Sequence, residues 1–403
     1  VDVFGFFYLS GGFAFVKTTD TITLSDGTTQ DVNLLTIGAG NVNAFAGVNG
    51  PYILDDNDTP DDFTDDTVNP GAVGLALRSV DFALALMSTP KPLLAPGSPA
   101  PVATAAGVDL RTWTALKATV ASAEFVGVDG LQVQVDTLSV LVNQHGGTLG
   151  DGTTANPNTV FADFYDDPAV TTDVAGTPLE VKTGPDTTFE IDVDGIELLE
   201  ASGNLTVDVF GFFYLSGGFA FVKTTDTITL SDGTTQDVNL LTIGAGNVNA
   251  FAGVNGPYIL DDNDTPNDFT DDTVNDGAIG LALRNVDFAL ALMSTPKPLL
   301  APGSPAPVAT AAGVDLRTWT ALKATVASAE FVGVDGLEVE VDTLSVLVNR
   351  HGGTLGDGTT ANPNTVFADF YDDPAVTTDV AGTPLAVKTG PSSTFDLDLD
   401  GVE

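Results

Sequence analysis

The chain has 403 residues, with 55 acidic and 13 basic side chains, a formal net charge of −42 at pH 7, and no cysteine. Nucleic acid and anionic membrane surfaces are poor partners for such a chain, because binding them requires Lys and Arg. The lack of cysteine excludes disulfides, thiolate zinc sites and iron–sulfur clusters. No apolar run approaches the roughly 18 residues of a membrane helix, so membrane insertion is not expected.

The sequence is one long unit that repeats. Residues 1–17, VDVFGFFYLSGGFAFVK, return unchanged at 207–223, which gives a period of 206 residues, and about fourteen aligned positions differ between the copies. This period predicts a first repeat at 1–187 that lacks its N-terminal part, a complete second repeat at 188–393, and the start of a further repeat at 394–403.

The junction at 188–223 shows the same strand-like alternation as the rest of a copy. We therefore expect the sheet to continue across it. Turns are predicted at Asp194-Gly195, Ser202-Gly203 and Gly217-Gly218, where small or polar residues interrupt the alternation.

Strand patterns dominate each copy in chain order, with Val, Ile, Phe and Thr in alternating runs and Gly, Asp, Asn, Ser and Pro between them. Residues 113–118 have some helical character, but the alternation that follows favours a strand. The predicted fold class is all-β.

Several strands contain one step of three within the period of two, as in Leu75, Leu77, then Val80 and Phe82. The pairs Asp26-Gly27, Asp129-Gly130 and Asp194-Gly195 favour tight hairpin turns, because Gly and Asp tolerate positive φ.

Two other steps, Arg78-Ser79 and Asp136-Thr137, suit turns poorly and favour bulges or corners. The predicted architecture is an elongated tandem array with a largely antiparallel sheet of sharply bent strands, and a β-solenoid is the alternative.

An acidic loop after Leu54 is the strongest candidate site, because a dense group of carboxylates suits Ca²⁺ with its six to eight oxygen ligands. Its spacing matches no EF-hand, so a solvated acidic loop is the alternative. The predicted calcium ligands in the two copies are Asp55, Asp56, Asn57, Asp58, Asp61, Asp62, Asp65, Asp66, Asp261, Asp262, Asn263, Asp264, Asp268, Asp271 and Asp272.

The aromatic candidates are few. His145 and His351 are interpreted as ordinary surface residues of a loop. Trp113 and Trp319 are expected to anchor the core, and a carbohydrate-stacking platform is the alternative.

Catalytic signatures are weak. Asp163, Asp166 and Asp167 lie near two aromatic residues and could form a glycosidase carboxylate pair, but the sequence does not fix their separation. It contains no nucleophile elbow, phosphate loop or dinucleotide fingerprint. We expect no enzymatic activity.

Three segments carry a resemblance to a protein class: GAVGLALRSVDFALALM, TWTALKATVASAEFVGVDGLQVQVDTLSVLVN and DVDGIELLEASGNLTVDVFGFFYLSGGFAF. Their texture resembles giant tandem-repeat bacterial surface proteins, which are acidic, cysteine-poor and adhesin-like. The resemblance covers nearly the whole chain and implies secretion, an extended form and calcium dependence.

These observations predict a structural repeat of an extracellular filament or giant adhesin stalk at the cell surface. Its partners would be neighbouring copies of the repeat, end to end and also laterally. The alternative is a module that binds a glycan or a cell-surface protein through the loops at Asp55 or His145 and gains avidity by repetition.

Overall fold

The computed structural model of the chain describes residues 1–54, 67–91, 98–167, 173–260, 273–297, 305–372 and 380–402. Within these ranges every regular element is a β-strand and none is a helix, so the all-β prediction is confirmed. The long strands pair antiparallel in a large sheet, as predicted. No helix in the described part of the chain is long and apolar enough to span a membrane.

The chain divides into two compact units. Unit 1 contains Val1–Val128 and Asp136–Ala201, and unit 2 contains Asp129–Val135 and Ser202–Glu403. The repeat boundaries predicted from the period and the continuity of the sheet across 188–223 stay predictions.

The strand bounds show the repeat directly, because every strand after β14 corresponds to an earlier strand 206 residues before it. The strands up to β13 are β1 (Asp2–Val3), β2 (Phe7–Leu24), β3 (Thr29–Val48), β4 (Ile53–Leu54), β5 (Thr67–Val68), β6 (Val73–Ser88), β7 (Thr112–Val126), β8 (Leu131–Gly146), β9 (Thr148–Gly150), β10 (Ala155–Pro157), β11 (Ala162–Asp163), β12 (Leu179–Lys182) and β13 (Thr188–Ile191). The remaining strands are β14 (Leu198–Val209), β15 (Phe213–Leu230), β16 (Thr235–Val254), β17 (Ile259–Leu260), β18 (Thr273–Val274), β19 (Ile279–Ser294), β20 (Thr318–Val332), β21 (Val339–Gly352), β22 (Thr354–Gly356), β23 (Ala361–Pro363), β24 (Ala368–Asp369), β25 (Leu385–Lys388) and β26 (Thr394–Leu397).

The strands of the large sheet in unit 1 follow the order β1-β2-β3-β6-β7-β8, and of β8 only the part from Asp136 onward belongs to this unit. The alternation that predicted them places one face of each strand on the core. Tight turns at Asp26-Gly27 and Asp129-Gly130 join β2 to β3 and β7 to β8, and both glycines have φ of 79°. These two hairpin predictions are confirmed.

Three long strands, β3, β6 and β8, contain a residue with positive φ near the middle. Asn41, Ser79 and Thr137 have φ of 50°, 47° and 52°, and the register between β3 and β6 shifts beside Val42. The predicted bends at Arg78-Ser79 and Asp136-Thr137 therefore lie inside continuous strands and are confirmed as bulge-like irregularities.

Side chains satisfy the amides that the bends remove from the ladder. The Ser79 amide donates to Asn43 Oδ1 at 3.1 Å, and the Asn41 amide donates to Asp81 Oδ1 at 3.0 Å. The same two bonds recur in unit 2, which indicates that the bend is a built feature of the repeat.

Two turn predictions are wrong, and a third is correct only as a turn. The chain turns at Asp194-Gly195, where the Ile196 amide donates to the Asp194 carbonyl at 2.8 Å, but this turn does not close a hairpin, because β13 pairs with β12 while β14 belongs to the large sheet. Ser202-Gly203 lies inside β14 and Gly217-Gly218 lies inside β15, where the register with β16 shifts. Small residues are tolerated in these strands because a glycine accommodates a bulge as readily as a turn.

The main core of unit 1 lies between one end of the large sheet and a second layer formed around β11, β12 and β13. The buried residues of this cluster are Ile22, Leu24, Val32, Leu34, Ala83, Ala85, Met87, Trp113, Ala115, Ala162, Phe164, Val181, Ile191 and Val193. Trp113 is 1% exposed, and its Nε1–H donates to the carbonyl of Val160 at 2.9 Å. The prediction that Trp113 anchors the core is confirmed.

Gly38 allows the second layer to approach the sheet closely. A Cβ at this position of β3 would overlap the carbonyl oxygen of Lys182 at the end of β12. A smaller cluster at the other end of the sheet contains Phe45, Ala72, Ala76 and Val126.

Unit 2 has the same two clusters. Its main core is built around Trp319 and Phe370, and its smaller cluster is built around Phe251.

Candidate metal centre

The predicted calcium loops, 55–66 and 261–272, lie outside the described residues. Short strand pairs flank them: Ile53 pairs with Val68 in the first copy, and Ile259 pairs with Val274 in the second. Calcium binding by these loops stays a prediction.

The structure brings three other carboxylates together in unit 1, from Asp163, Asp173 and Asp194. One carboxylate oxygen from each lies within 4.8 Å of the other two. We call this group the aspartate triad. Carboxylate oxygens at this separation are the ligands of hard divalent cations such as Ca²⁺ or Mg²⁺.

Backbone pairing positions the triad. Asp163 is the last residue of β11 and pairs with Thr23 of β2. The Phe164 amide donates to the carbonyl of Val193 at 2.9 Å, which brings the turn containing Asp194 beside β11.

Two glycines allow these segments to approach one another. A Cβ on Gly176 would overlap Asp163 Oδ1 and would lie 2.6 Å from the backbone nitrogen and oxygen of Tyr165. A Cβ on Gly195 would lie 2.8 Å from the Cβ of Ser25. A side chain at either position would therefore push the triad apart.

Each triad carboxylate accepts one backbone hydrogen bond. The donors are the amides of Tyr165 to Asp163 at 3.2 Å, Asp167 to Asp173 at 2.6 Å, and Gly195 to Asp194 at 2.6 Å. Among the described residues the second oxygen of each carboxylate has no hydrogen bond, so each side chain has an oxygen for a cation.

Burial and the repulsion between neighbouring carboxylates make it unfavourable for all three triad side chains to be ionised together. Asp163 is 2% exposed, and burial raises its pKa to about 6, with further contributions from Asp194, Asp173 and Asp166. The pKa of Asp194 is also raised, by burial and then by the charges of Asp173 and Asp167. A divalent cation would offset this repulsion and hold the carboxylates ionised.

The second copy contains the same parts. Asp369 is 2% exposed, and a Cβ on Gly401 would lie 2.9 Å from its Oδ2. Asp400 corresponds to Asp194, while Asp379, the counterpart of Asp173, lies outside the described residues.

Sequence reasoning found this site only in part. Asp163 stood out as a potential glycosidase carboxylate, Asp194 as a turn residue, and Asp173 was missed. The burial of Asp163 excludes it from contact with a sugar in this conformation. All three aspartates are retained in both copies. The copies are so similar, however, that retention does not distinguish a functional residue from any other residue.

His145 lies at the end of β8, where its ring centroid is 4.3 Å from that of Phe161. Burial lowers its pKa. The interpretation of His145 as an ordinary surface residue of a loop is therefore wrong, because the residue is half-buried in a strand and packs against Phe161.

Comparisons with models of protein families, with curated proteins and with solved structures find no match for this chain.

Proposed function

We propose that the chain is a structural segment of an extracellular filament or giant adhesin stalk, in which copies of one rigid β unit follow each other. The observation that carries this proposal is the identity of backbone register between the copies. Ser10 pairs with Asn43 and Gly12 with Gly40 in β2–β3, and the pairs 206 residues later repeat them across the same bulge.

Identical register supports a structural role because a filament needs units of constant length and stiffness. The β2 and β3 strands have 18 and 20 residues, which corresponds to roughly 60 Å of extended chain at about 3.3 Å per residue.

The composition supports an extracellular location. A net charge of −42 is best screened by salt or divalent cations, and a cysteine-free array avoids mispaired disulfides between near-identical neighbours during export. We propose that Ca²⁺ binds the aspartate triad and stiffens the contact between the sheet and the second layer.

Electron microscopy of the native assembly, labelled with an antibody against this chain, tests the proposal. The expected result is an extracellular fibre with an axial repeat set by the 206-residue unit. Small-angle scattering of the 403-residue chain provides a second measurement, and two freely hinged units would contradict the stalk.

A further inference from the structure

The large sheet of unit 1 has two faces, and the second layer packs on only one of them. On the other face, three rows of cross-strand neighbours run across β2, β3, β6 and β7. The rows are Lys17, Leu35, Leu86 and Thr114, then Phe15, Ile37, Leu84 and Leu116, then Phe13, Ala39, Phe82 and Ala118. We call these side chains the outer patch.

The outer patch is uncovered in the part of unit 1 that the structure describes. None of its side chains belongs to a buried core cluster. Leu86 is 38% exposed, whereas its neighbours in β6, Ala85 and Met87, are 0% and 2% exposed. Successive residues of a strand lie on opposite faces, so this contrast locates the packed layer on one face. Because β6 lies between β3 and β7, the exposure of Leu86 does not come from a sheet edge.

Unit 2 has an outer patch with identical residues in the same register. Its rows are Lys223, Leu241, Leu292 and Thr320, then Phe221, Ile243, Leu290 and Leu322, then Phe219, Ala245, Phe288 and Ala324. Leu292 is 38% exposed, as Leu86 is. A groove lies over the first row in each unit, with a volume of about 760 Å³ in unit 1 and about 440 Å³ in unit 2. The uncovered face is therefore a property of the repeat.

The outer patch contains no carboxylate. Lys17 is its one charged residue in unit 1 and Lys223 its one charged residue in unit 2, although the whole chain has 55 acidic residues and a net charge of −42. Two chains of this charge repel one another, and contact is least unfavourable where carboxylates are absent. A contiguous apolar patch with a polar surround is typical of a protein interaction site.

The size of the patch limits what it can do alone. Four strands about 4.8 Å apart and three rows about 6.6 Å apart give a projected area of roughly 400 Å² per unit. A specific and stable interface buries about 800 Å² on each partner. One patch therefore supports a weak contact, and a partner that repeats with the same period can add further contacts without a new binding surface.

We infer that the outer patch binds the outer patch of a second copy of this chain, so that two sheets stack face to face. Apolar side chains of the two sheets would interdigitate across a spacing of about 10 Å, as in β-sandwiches. The inference deepens the proposed function and rests on it, since it names the face through which copies associate sideways.

The period favours a second copy over an unrelated partner. The chain is longer than one 206-residue period, and among the described residues no segment of the repeat covers the patch in either unit. A cover supplied by the array itself must then come from another copy. Only a partner with the same period presents its own patches at matching intervals.

Sedimentation velocity of the full chain tests the inference, in chelator so that cations do not join the acidic chains. We expect reversible self-association that increases with protein concentration. It should also strengthen from low to moderate salt, because salt screens the repulsion between chains of like charge. Self-association that weakens with salt would contradict an apolar contact.

Two pairs of substitutions locate the contact. Leu86→Glu with Leu292→Glu introduces a carboxylate into the first row of each unit and should weaken self-association about tenfold or more, because an apolar contact would bury like charges. Leu86→Thr with Leu292→Thr keeps residues suited to a strand and should weaken it by a smaller factor. Tryptophan fluorescence verifies that each variant is folded.

The matched control is Leu149→Glu with Leu355→Glu. These leucines are 39% exposed, nearly the same as Leu86 and Leu292, but they lie in β9 and β22, outside the large sheet. Self-association of this variant should equal that of wild type. Because the chain has no cysteine, Leu86→Cys also provides a single thiol, whose alkylation should slow as the chain associates, whereas alkylation of Leu149→Cys should not.

A chain that stays monomeric up to millimolar concentration at moderate salt would overturn the inference and leave the patch to a different partner. Equal weakening by the Leu86 and Leu149 pairs would also overturn it. Self-association through the patch together with freely hinged units would reject the stalk and retain the patch contact, whereas a rigid chain that stays monomeric would reject the patch contact alone.

Discussion

Asp163→Asn should stabilise unit 1 at pH 7 when divalent cations are absent. The pKa of Asp163 rises from 3.8 to about 6, chiefly through burial. One pH unit of difference between the folded and unfolded pKa corresponds to about 1.4 kcal/mol, so the ionised carboxylate costs about 3 kcal/mol of folding free energy. Asparagine keeps an acceptor for the Tyr165 amide and removes the charge.

The pKa of Asp163 is higher in the folded chain than in the unfolded chain, and this difference sets the sign of the pH dependence of stability. Between pH 3.8 and about 6 the folded chain binds more protons than the unfolded chain, so wild-type stability falls as pH rises through this window. The advantage of Asp163→Asn should therefore be about 1–3 kcal/mol at pH 7 and should vanish near pH 4.

Calcium should make the wild-type chain more stable than Asp163→Asn. A cation bound only by the folded state stabilises it by about 2.7 kcal/mol at a concentration 100 times its Kd. Wild type should gain this stabilisation, and Asp163→Asn should gain much less because it has lost one ligand.

Urea denaturation followed by tryptophan fluorescence measures these differences, with Trp113 reporting on unit 1 in a Trp319→Phe background. Asp151→Asn is the control. The amides of Thr153 and Thr154 lower the pKa of Asp151, so removing its charge should not stabilise the fold at pH 7. The reasoning is refuted if Asp163→Asn is less stable than wild type in chelator, and the triad is not the cation site if Ca²⁺ stabilises both equally.

Three further predictions concern the cation and the core of unit 1, and tryptophan fluorescence during thermal or urea denaturation measures each of them. A chelator should lower the melting temperature of the wild-type chain. If the loop at 55–66 also binds calcium, the double variant Asp56→Ala, Asp58→Ala should show a smaller drop in melting temperature on chelation. An unchanged drop would leave the triad as the calcium site. Gly176→Ala should destabilise unit 1 by more than about 2 kcal/mol, because the new methyl group overlaps the Tyr165 backbone and a carboxylate. Trp113→Phe should cost about 1–3 kcal/mol, because it leaves the Val160 carbonyl unpaired in the core, and a smaller loss would mean that water replaces the indole N–H.

Sequence patterns predicted those parts of the fold that depend on neighbouring residues, namely the strands and two of the hairpins. Alternation predicted the strands, and Asp-Gly pairs predicted the β2–β3 and β7–β8 hairpins, because these depend on residues close in sequence. Ser202-Gly203 was mistaken for a turn because small residues also occur inside a strand, and the local sequence does not distinguish the two cases.

The sequence by itself determined the all-β class, the 206-residue period, the excess of negative charge and the absence of sulfur chemistry, since each depends only on residue order and composition. Only the tertiary structure decided which carboxylates meet. Asp163, Asp173 and Asp194 lie in three different segments, and their approach depends on pairing of β11 with β2 and on two glycines.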